Sequence, residues 1–294
     1  MTAATISPPR SPKEPRGQTV LGKLRRQPMA MAAMVFIALL GLAAIFAPIL
    51  SPYGPHDTDY FALLQTPSSA HLLGTDDLGR DILSRMLYAT RASLLACLQA
   101  VGLAVLVGVL LGLFAGYFGG WIDRLLMIVV DSVLAVPGLL LALALVGALG
   151  PGLVNASLAL SIIFIPVFAR ITRIQAAAVN QEPYMEASRS IGLSHLRAVL
   201  RHLLPNTAAP LIVQIFITLG VAIVAEGAMS YLGMSTQPPD ASWGNMLQRS
   251  FSTINEAPWL IFIPGTLMTL TVLAFQVIGD GLNRSFALDT RSAT

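Results

Sequence analysis

Charged side chains are scarce in this sequence. Asp, Glu, Lys and Arg make up 11% of its 294 residues, whereas 55% of the residues are hydrophobic. Soluble domains contain roughly 25% charged residues. A chain with so few charges cannot cover a water-facing surface, but a protein embedded in membrane lipid needs no such coat. The composition therefore excludes an ordinary soluble domain and predicts an integral membrane protein.

Cysteine is almost absent, and histidine is rare and scattered. The single cysteine, Cys97, lies inside an apolar run, which excludes a disulfide framework and a paired-cysteine zinc site. The histidines lie far apart and outside the apolar runs, at His56, His71, His195 and His202. A membrane enzyme would need clustered polar groups facing one cavity. We therefore expect no catalytic residues and no metal or cofactor ligands, and the net charge of +3 does not indicate nucleic-acid binding.

A nucleotide-binding loop is also missing. Gly17, Gly22 and Lys23 have the spacing of a phosphate-binding loop. The motif requires a Ser or Thr next and a strand before it, but Leu24 follows and no strand precedes. We expect no ATP site in this chain.

What the sequence does contain is six apolar runs. About 20 apolar residues are needed to cross the hydrocarbon core of a bilayer. The runs cover residues 29–50, 92–117, 125–149, 153–169, 208–232 and 258–279. We predict an all-α fold with a tail over 1–28, a domain of six transmembrane helices over 29–283 and a second tail over 284–294.

Glycines recur every four residues within and just after the second run, at Gly108, Gly112, Gly116 and Gly120. Small residues at this spacing lie on one face of a helix and let another helix approach closely. We expect this run to pack tightly against a neighbouring span.

Lys and Arg are unevenly distributed among the segments that join the runs. Fourteen of the 18 lie in the two tails, the loop after the second run and the loop between the fourth and fifth runs. Cytoplasmic loops carry such an excess, so we predict that both termini and the loop over 174–207 are cytoplasmic. The segments 51–91 and 233–257 are then external. Arg80, Arg85 and Arg91 are an exception to the charge bias, because they lie together in an external segment.

The loop over 174–207 reads as two short helices joined at a sharp corner. Gly192 suits a left-handed C-cap, and Ser194 can cap the helix that follows. Pro205 is expected to close that helix just before the fifth run. In the first helix, Ala187 and Ser188 leave a shallow face against which a partner can pack.

The order of residues in this loop resembles the EAA loop of ABC importer permeases. That signature is Glu-Ala-Ala, three residues, Gly, nine residues, Ile, one residue, Leu-Pro. The spacing is matched throughout, although a serine replaces the second alanine and a histidine replaces the isoleucine. The resemblance implies that the loop couples the permease to ATPase subunits through Glu186, Ala187, Ser188, Gly192, His202, Leu204 and Pro205.

Other segments resemble the second-subunit type of dipeptide and oligopeptide permeases, a family that also transports nickel, glutathione and other small solutes. They are His71-Leu72-Leu73-Gly74-Thr75-Asp76-Asp77-Leu78-Gly79-Arg80-Asp81, Tyr231-Leu232-Gly233 with Trp243-Gly244, and the last apolar run. The resemblance implies a type I ABC importer permease in the bacterial cytoplasmic membrane, with peptides as the solute. It also implies a homologous permease subunit, two ATPase subunits that bind ATP and magnesium, and an external solute-binding protein.

An ion-coupled secondary transporter is the competing interpretation. Such a transporter is expected to carry inverted repeats and broken helices at mid-membrane. No motif of this sequence occurs twice, so we favour the ABC permease.

Two carboxylates, Asp131 and Glu226, lie within apolar runs. Ionisable residues inside a membrane are functional candidates, but they often pair with other charges. We favour a structural or gating role for both over contact with the solute.

The predicted topology can be tested by cysteine labelling from outside the cell, in a background that lacks Cys97. We expect cysteines placed at Ser68 and Gln237 to react with an impermeant maleimide, and cysteines at Ser11 and Ser292 to react only after permeabilisation. Labelling at Ser292 in intact cells would show that the orientation is wrong.

Overall fold

The computed structural model describes residues 20–190, 192 and 194–292, and the regular secondary structure over these residues is helical. The helices are α1 (Val20–Leu24), α2 (Pro28–Ile45), α3 (Ala47–Leu50), α4 (Ile82–Phe118), α5 (Gly120–Leu134), α6 (Gly138–Leu149), α7 (Leu153–Asn180), α8 (Pro183–Ser190), α9 (His195–Ala198), α10 (Leu204–Tyr231), α11 (Trp243–Ser252) and α12 (Trp259–Ser292). A π-helical turn over Val199–Leu203 joins α9 to α10. The all-α fold predicted from the apolar runs is confirmed for this part of the chain.

Five helices of the described chain are long and apolar enough to cross a membrane. They are α2, α4, α7, the continuous helix His195–Tyr231, and α12 over Trp259–Phe286. A sixth crossing exists if α5 and α6, which meet at a bend of 88°, count as one span. The third apolar run, over 125–149, therefore forms two helices rather than one, and it counts as a crossing only as this bent pair. Pro137 explains the break, because proline has no N–H to donate and disfavours helical backbone at the residue before it.

The helices run alternately between two ends of the bundle. At one end, which we call the loop end, lie α8, α9 and the corner between α4 and α5. The cap end carries the segment over 51–81, which we call the cap segment, together with α11. Since α10 leaves the loop end and α12 returns to it, the end of α12 lies there. Gln27 lies there too, because its Nε2 donates to the carbonyl of Gly281 at 3.2 Å.

The outer surface of the bundle is apolar. Along α2 the exposed side chains include Met29, Val35, Leu39, Leu42 and Ile45, of which Met29 is 72% and Ile45 68% exposed. A contiguous apolar surface of this kind is rare on a soluble monomer. It fits contact with lipid along the whole length of the helix.

The glycine stripe brings α4 against α7. A Cβ added at Gly108 would lie 2.7 Å from the Ile165 carbonyl oxygen, and one at Gly116 would lie 2.7 Å from the Cβ of Ala176. Gly112 is the tightest of the three, because its Cβ would lie 2.5 Å from both the Ala169 carbonyl oxygen and the Thr172 Cβ. The predicted close approach is confirmed at these three positions.

Gly120 does not belong to the stripe. Its φ is +57°, it begins α5, and no atom lies within 4 Å of a Cβ built there. The four-residue spacing continues past Gly116, but α4 ends at Phe118, so the helical face that the spacing implies does not reach Gly120.

The segment over 233–257, predicted as an external loop, contains the helix α11. Ser242 and Asn245 form a capping box at the start of α11. Trp243, the first residue of α11, is fully buried, and its Nε1 donates to the Thr90 hydroxyl at 3.2 Å. The segment is thus a structured cover that is anchored on α4.

A matched pair of substitutions on α4 tests the close packing. Gly112→Ala places a methyl group against backbone atoms of α7 that cannot move independently, so we expect it to destabilise the protein by about 1–3 kcal/mol. Gly102→Ala is the control, since no atom lies within 4 Å of a Cβ at that position. It should be neutral or stabilise by up to about 1 kcal/mol, because alanine favours helix over glycine. Thermal unfolding in detergent measures both, and equal midpoints for the two variants would contradict the packing.

Candidate functional site

The loop between α7 and α10 forms the corner that the sequence predicts. Helix α8 ends at Ser190, Gly192 has a φ of +79°, and the next helix begins at His195. Left-handed backbone costs a residue with a side chain roughly 1–2 kcal/mol, whereas glycine adopts it freely. The left-handed glycine is confirmed. A Cβ built at Gly192 would meet no atom within 4 Å, so backbone conformation alone favours glycine there.

Two details of the predicted loop are different in the structure. Ser194 precedes α9 as expected, but its side chain makes no capping hydrogen bond. Pro205 does not close the second helix, because the π-turn carries the chain from α9 into α10 without a break. Within the turn, the Leu204 N–H donates to the Val199 carbonyl, five residues back. The wider π-turn absorbs a proline that has no N–H and would clash with the carbonyl four residues before it.

Helix α8 has one buried anchor and an exposed face. Met185 is fully buried in the main hydrophobic core. Glu186 and Ala187, which follow it, are exposed. The side chain of Ser188 lies outside the described residues. The helix therefore presents a carboxylate and a small residue away from the bundle while Met185 holds it in place.

The remaining residues of the signature lie where the loop rejoins the bundle. His202 is half-buried in the π-turn, with its ring centroid 6.0 Å from that of Tyr184 on α8. Leu204 is half-buried and Pro205 is exposed at the start of α10. His202 thus contacts α8 across the corner.

A link between α9 and the end of α4 was not apparent in the sequence. The Tyr117 hydroxyl lies 2.8 Å from Nδ1 of His195. The same imidazole lies beside the ring of Phe118, with centroids 6.0 Å apart. Asn180 donates from its Nδ2 to the Tyr117 carbonyl at 2.9 Å, which ties the end of α7 to the same point. The end of α7 and the start of α9 are therefore both fixed to the last turn of α4.

A second missed link joins α7 to the start of α5. Arg173 donates to both carboxylate oxygens of Asp123, and its Nη2 lies 2.6 Å from Oδ2. Bidentate pairs of this kind are stronger and more directional than single contacts. The pair holds the corner after α4 against α7, about two turns before α7 reaches Asn180.

The two carboxylates within the apolar runs have separate environments. Asp131 accepts a hydrogen bond from Nη2 of Arg170 at 2.7 Å, and both side chains are about half exposed. Glu226 is 1% exposed near the cap end, where its Oε1 accepts from the Ser235 hydroxyl at 3.0 Å. Each carboxylate thus links two elements of the bundle. The structural or gating role of both residues stays a prediction.

The cap segment contains a buried network around Asp76. Its Oδ1 accepts from the backbone N–H of Arg80 at 3.0 Å, and its Oδ2 accepts from Nε of the same arginine at 2.7 Å. Arg85 lies 3.5 Å from Oδ2 and donates to the Pro55 carbonyl at 2.9 Å. Arg80 and Arg85, two of the arginines that are exceptions to the charge bias, are therefore buried and paired with Asp76.

The cap segment also holds α4 and α11. Asp81 accepts from the Ser84 N–H at 2.8 Å and so caps α4, while its other oxygen lies 3.0 Å from Nδ1 of His71. Asp77 pairs with Arg249 of α11 at 3.2 Å. An open cavity of about 420 Å³ lies beside this pair, between α11 and the end of α10. Such a cavity is large enough for a side chain or a short loop of another molecule.

Comparison with known proteins shows the family of the chain. Residues 108–292 match the family described as the inner membrane component of binding-protein-dependent transport systems, and residues 16–67 match the N-terminal transmembrane domain of oligopeptide transport permease C. The chain is 41% identical over 260 residues to the dipeptide transport system permease protein DppC of Alkalihalophilus pseudofirmus, covering 88% of this chain and 86% of the relative. It is 44% identical over 261 residues to the glutathione transport system permease protein GsiD of Shigella flexneri, with the same coverage.

Solved structures support the fold. One match is a chain of the MetNI methionine ABC transporter in inward-facing conformations, with 18% identity, a TM-score of 0.55, and coverage of 68% of this chain and 95% of that chain. Another is an amino acid ABC transporter crystallised with histidines, with 19% identity, a TM-score of 0.50, and coverage of 65% and 89%. The chain belongs to the binding-protein-dependent permeases of bacterial ABC importers, in the branch that contains the dipeptide and glutathione permeases, and it is a multi-pass membrane protein.

Proposed function

We propose that this permease forms part of the translocation path of an ATP-driven importer for dipeptides or oligopeptides. The observation that carries this proposal is the corner at Gly192, which presents Glu186 and Ala187 on an exposed helix at one end of a membrane bundle. An importer of this design needs a second permease subunit, two ATPase subunits and an external binding protein. ATP and magnesium bind to the ATPase subunits, and this chain hydrolyses no ATP.

In this proposal the ATPase subunits act on α8. Closure of the ATPases displaces the helix, and the displacement reaches the bundle through two routes. One is the hydrogen bond between Tyr117 and His195, which connects to α4. The other is the π-turn, which connects to α10 without a break. Displacement of these helices switches the path between outward-open and inward-open states.

The proposed orientation places the loop end in the cytoplasm and the cap end outside the cytoplasmic membrane. The excess of Lys and Arg at the loop end supports it. The external binding protein then meets the cap segment and α11, where the cavity of about 420 Å³ is open.

Peptides are the proposed solute class because one relative is a dipeptide permease and another is a glutathione permease. Glutathione is the second candidate for the same reason. The bend between α5 and α6 is a feature that ion-coupled transporters share. Membership of the ABC permease family argues against that mechanism for this chain.

Transport by the assembled importer tests the proposal. The chain is co-expressed with its genomic partner subunits, purified and reconstituted into proteoliposomes together with the binding protein. We expect uptake of a labelled dipeptide that requires ATP on the side of the ATPase subunits. Glutathione in excess should compete if it shares the path. Uptake that is driven by an ion gradient without ATP would contradict the proposal. Uptake of glutathione but not of peptides would show that glutathione is the solute.

Substitution of Gly192 tests the role of the corner. Gly192→Val forces a β-branched residue into left-handed backbone, which costs more than the roughly 1–2 kcal/mol of an ordinary residue. We expect normal abundance in the membrane, weaker retention of the ATPase subunits and loss of uptake. Gly192→Asn is the matched control, because asparagine tolerates left-handed backbone, and it should retain most uptake.

Glu186→Ala should act in the same direction as Gly192→Val, because it removes the exposed charge without altering the backbone. Co-purification of the ATPase subunits and uptake are measured for each variant. Full assembly and full transport in Gly192→Val would show that the loop is only a connector.

A further inference from the structure

The seam between the start of α2 and the end of α12 contains an open cavity of about 330 Å³ at the loop end. Gln27 closes the seam on one side, since its Nε2 donates to the Gly281 carbonyl at 3.2 Å and to the Ser285 hydroxyl at 3.1 Å. The cavity therefore lies between two helix ends that are held at a fixed separation. Its lining includes Arg26, Met29, Val277, Asp280 and Arg284.

Two guanidinium groups line this cavity from different helices. Arg26 precedes α2 and Arg284 lies in the last turns of α12, and both side chains are exposed. Neither side chain forms an ion pair with any residue in the described part of the chain. Among the described residues, Asp280 is the only other charged one that lines the cavity, so this lining has a net positive charge.

The cavity lies where the apolar part of both helices ends. The apolar run of α2 begins directly after Arg26 and Gln27, and the apolar run of α12 ends at Gly279. Met29 is 72% exposed and forms the apolar side of the cavity together with Val277. In a bilayer this border is the level at which hydrocarbon gives way to lipid headgroups.

We propose that this cavity binds an anionic phospholipid. Arg26 and Arg284 hold its phosphate, and Met29 and Val277 contact the first part of an acyl chain. Arginine suits this role because its planar group donates several hydrogen bonds to one phosphate and keeps its charge at all physiological pH values. Asp280 accepts a hydrogen bond from a headgroup hydroxyl, which favours a headgroup such as phosphatidylglycerol over a bare phosphate.

Bound lipid would hold the end of α12 against the start of α2. The site requires only that the loop end lies at a membrane surface. It is therefore independent of the solute, of the ATPase contacts and of which side of the membrane the loop end faces.

Lipid titration of the purified, delipidated transporter complex tests the site. Phosphatidylglycerol and phosphatidylcholine with the same acyl chains are titrated in separate arms, and inorganic phosphate is the third arm. Native mass spectrometry counts the bound lipid, and thermal unfolding gives the stabilisation. We expect saturable binding of phosphatidylglycerol with a rise in the unfolding midpoint, and neither effect with the other two ligands.

Variants locate the site. One basic residue near an anionic surface contributes about a fivefold change in affinity, so Arg26→Gln and Arg284→Gln should each weaken phosphatidylglycerol binding about fivefold, and the double variant about thirtyfold. Arg124→Gln is the matched control, because Arg124 is exposed at the same end of the bundle and does not line the cavity. It should leave the affinity unchanged.

Four outcomes would overturn the proposal. They are equal binding of the two lipids, equal loss in Arg124→Gln, unchanged affinity in the double variant, and displacement of the lipid by inorganic phosphate at matched concentration. The last would identify a free-anion site rather than a lipid site. As a folding control, the variants should unfold at the wild-type midpoint in phosphatidylcholine. If the double variant does not assemble, the two single variants decide the result.

Discussion

The close contact between α4 and α7 determines where both ends of this bundle lie. In lipid, helices gain little from burying apolar side chains against one another, so van der Waals contact and hydrogen bonds must hold them together. Gly108, Gly112 and Gly116 allow α7 to approach until its backbone lies where a side chain would otherwise be. Because these positions extend over more than two turns, they fix the relative axial position of the two helices as well as their separation.

That axial position brings together the residues at the loop end. Tyr117 lies one residue after the last glycine of the stripe, and there it reaches both Asn180 at the end of α7 and His195 after the corner. Arg173 of α7 meets Asp123 of α5 near the same level. A small axial shift of α7 along α4 would separate Asn180 from Tyr117 and Arg173 from Asp123. The geometry of the loop thus depends on glycines that lie inside the membrane.

The sequence could predict those features that depend on local composition. Five of the six apolar runs correspond to helices long and apolar enough to cross a membrane, and the glycine spacing predicts the close contact. The left-handed conformation of Gly192 follows from its place between two short helices. These predictions succeed because each depends on neighbouring residues, and their physical causes act within a few turns of one helix.

The features that the sequence did not reveal depend on distant residues or are hidden by uniform hydropathy. A helix in lipid is apolar all round, so hydropathy gives no sign of the 88° bend in the run over 125–149. Pro137 alone does not reveal the bend, because Pro166, Pro210 and Pro264 lie inside continuous helices. Likewise, no local pattern shows that Pro205 is accommodated by a π-turn rather than by the end of a helix. The burial of Arg85 requires the Pro55 and Pro239 carbonyls, which are 30 and 154 residues away along the chain.

The two ends of the bundle also differ in how firmly they are held, and this difference bears on mechanism. At the cap end Asp76 joins Arg80 and Arg85 in a buried network, and α11 is anchored by a buried tryptophan. At the loop end the side chains of α8 that the structure describes are exposed apart from Met185, and α9 is attached through the Tyr117–His195 contact. Segments with few buried contacts open at the lowest free energy cost. The regular hydrogen-bond ladder is also interrupted in the π-turn, which lies on this side of α10. We therefore expect movement imposed on α8 to change the loop and the π-turn first, while the cap end stays in place. The glycine contact between α4 and α7 stays fixed relative to both ends of the bundle.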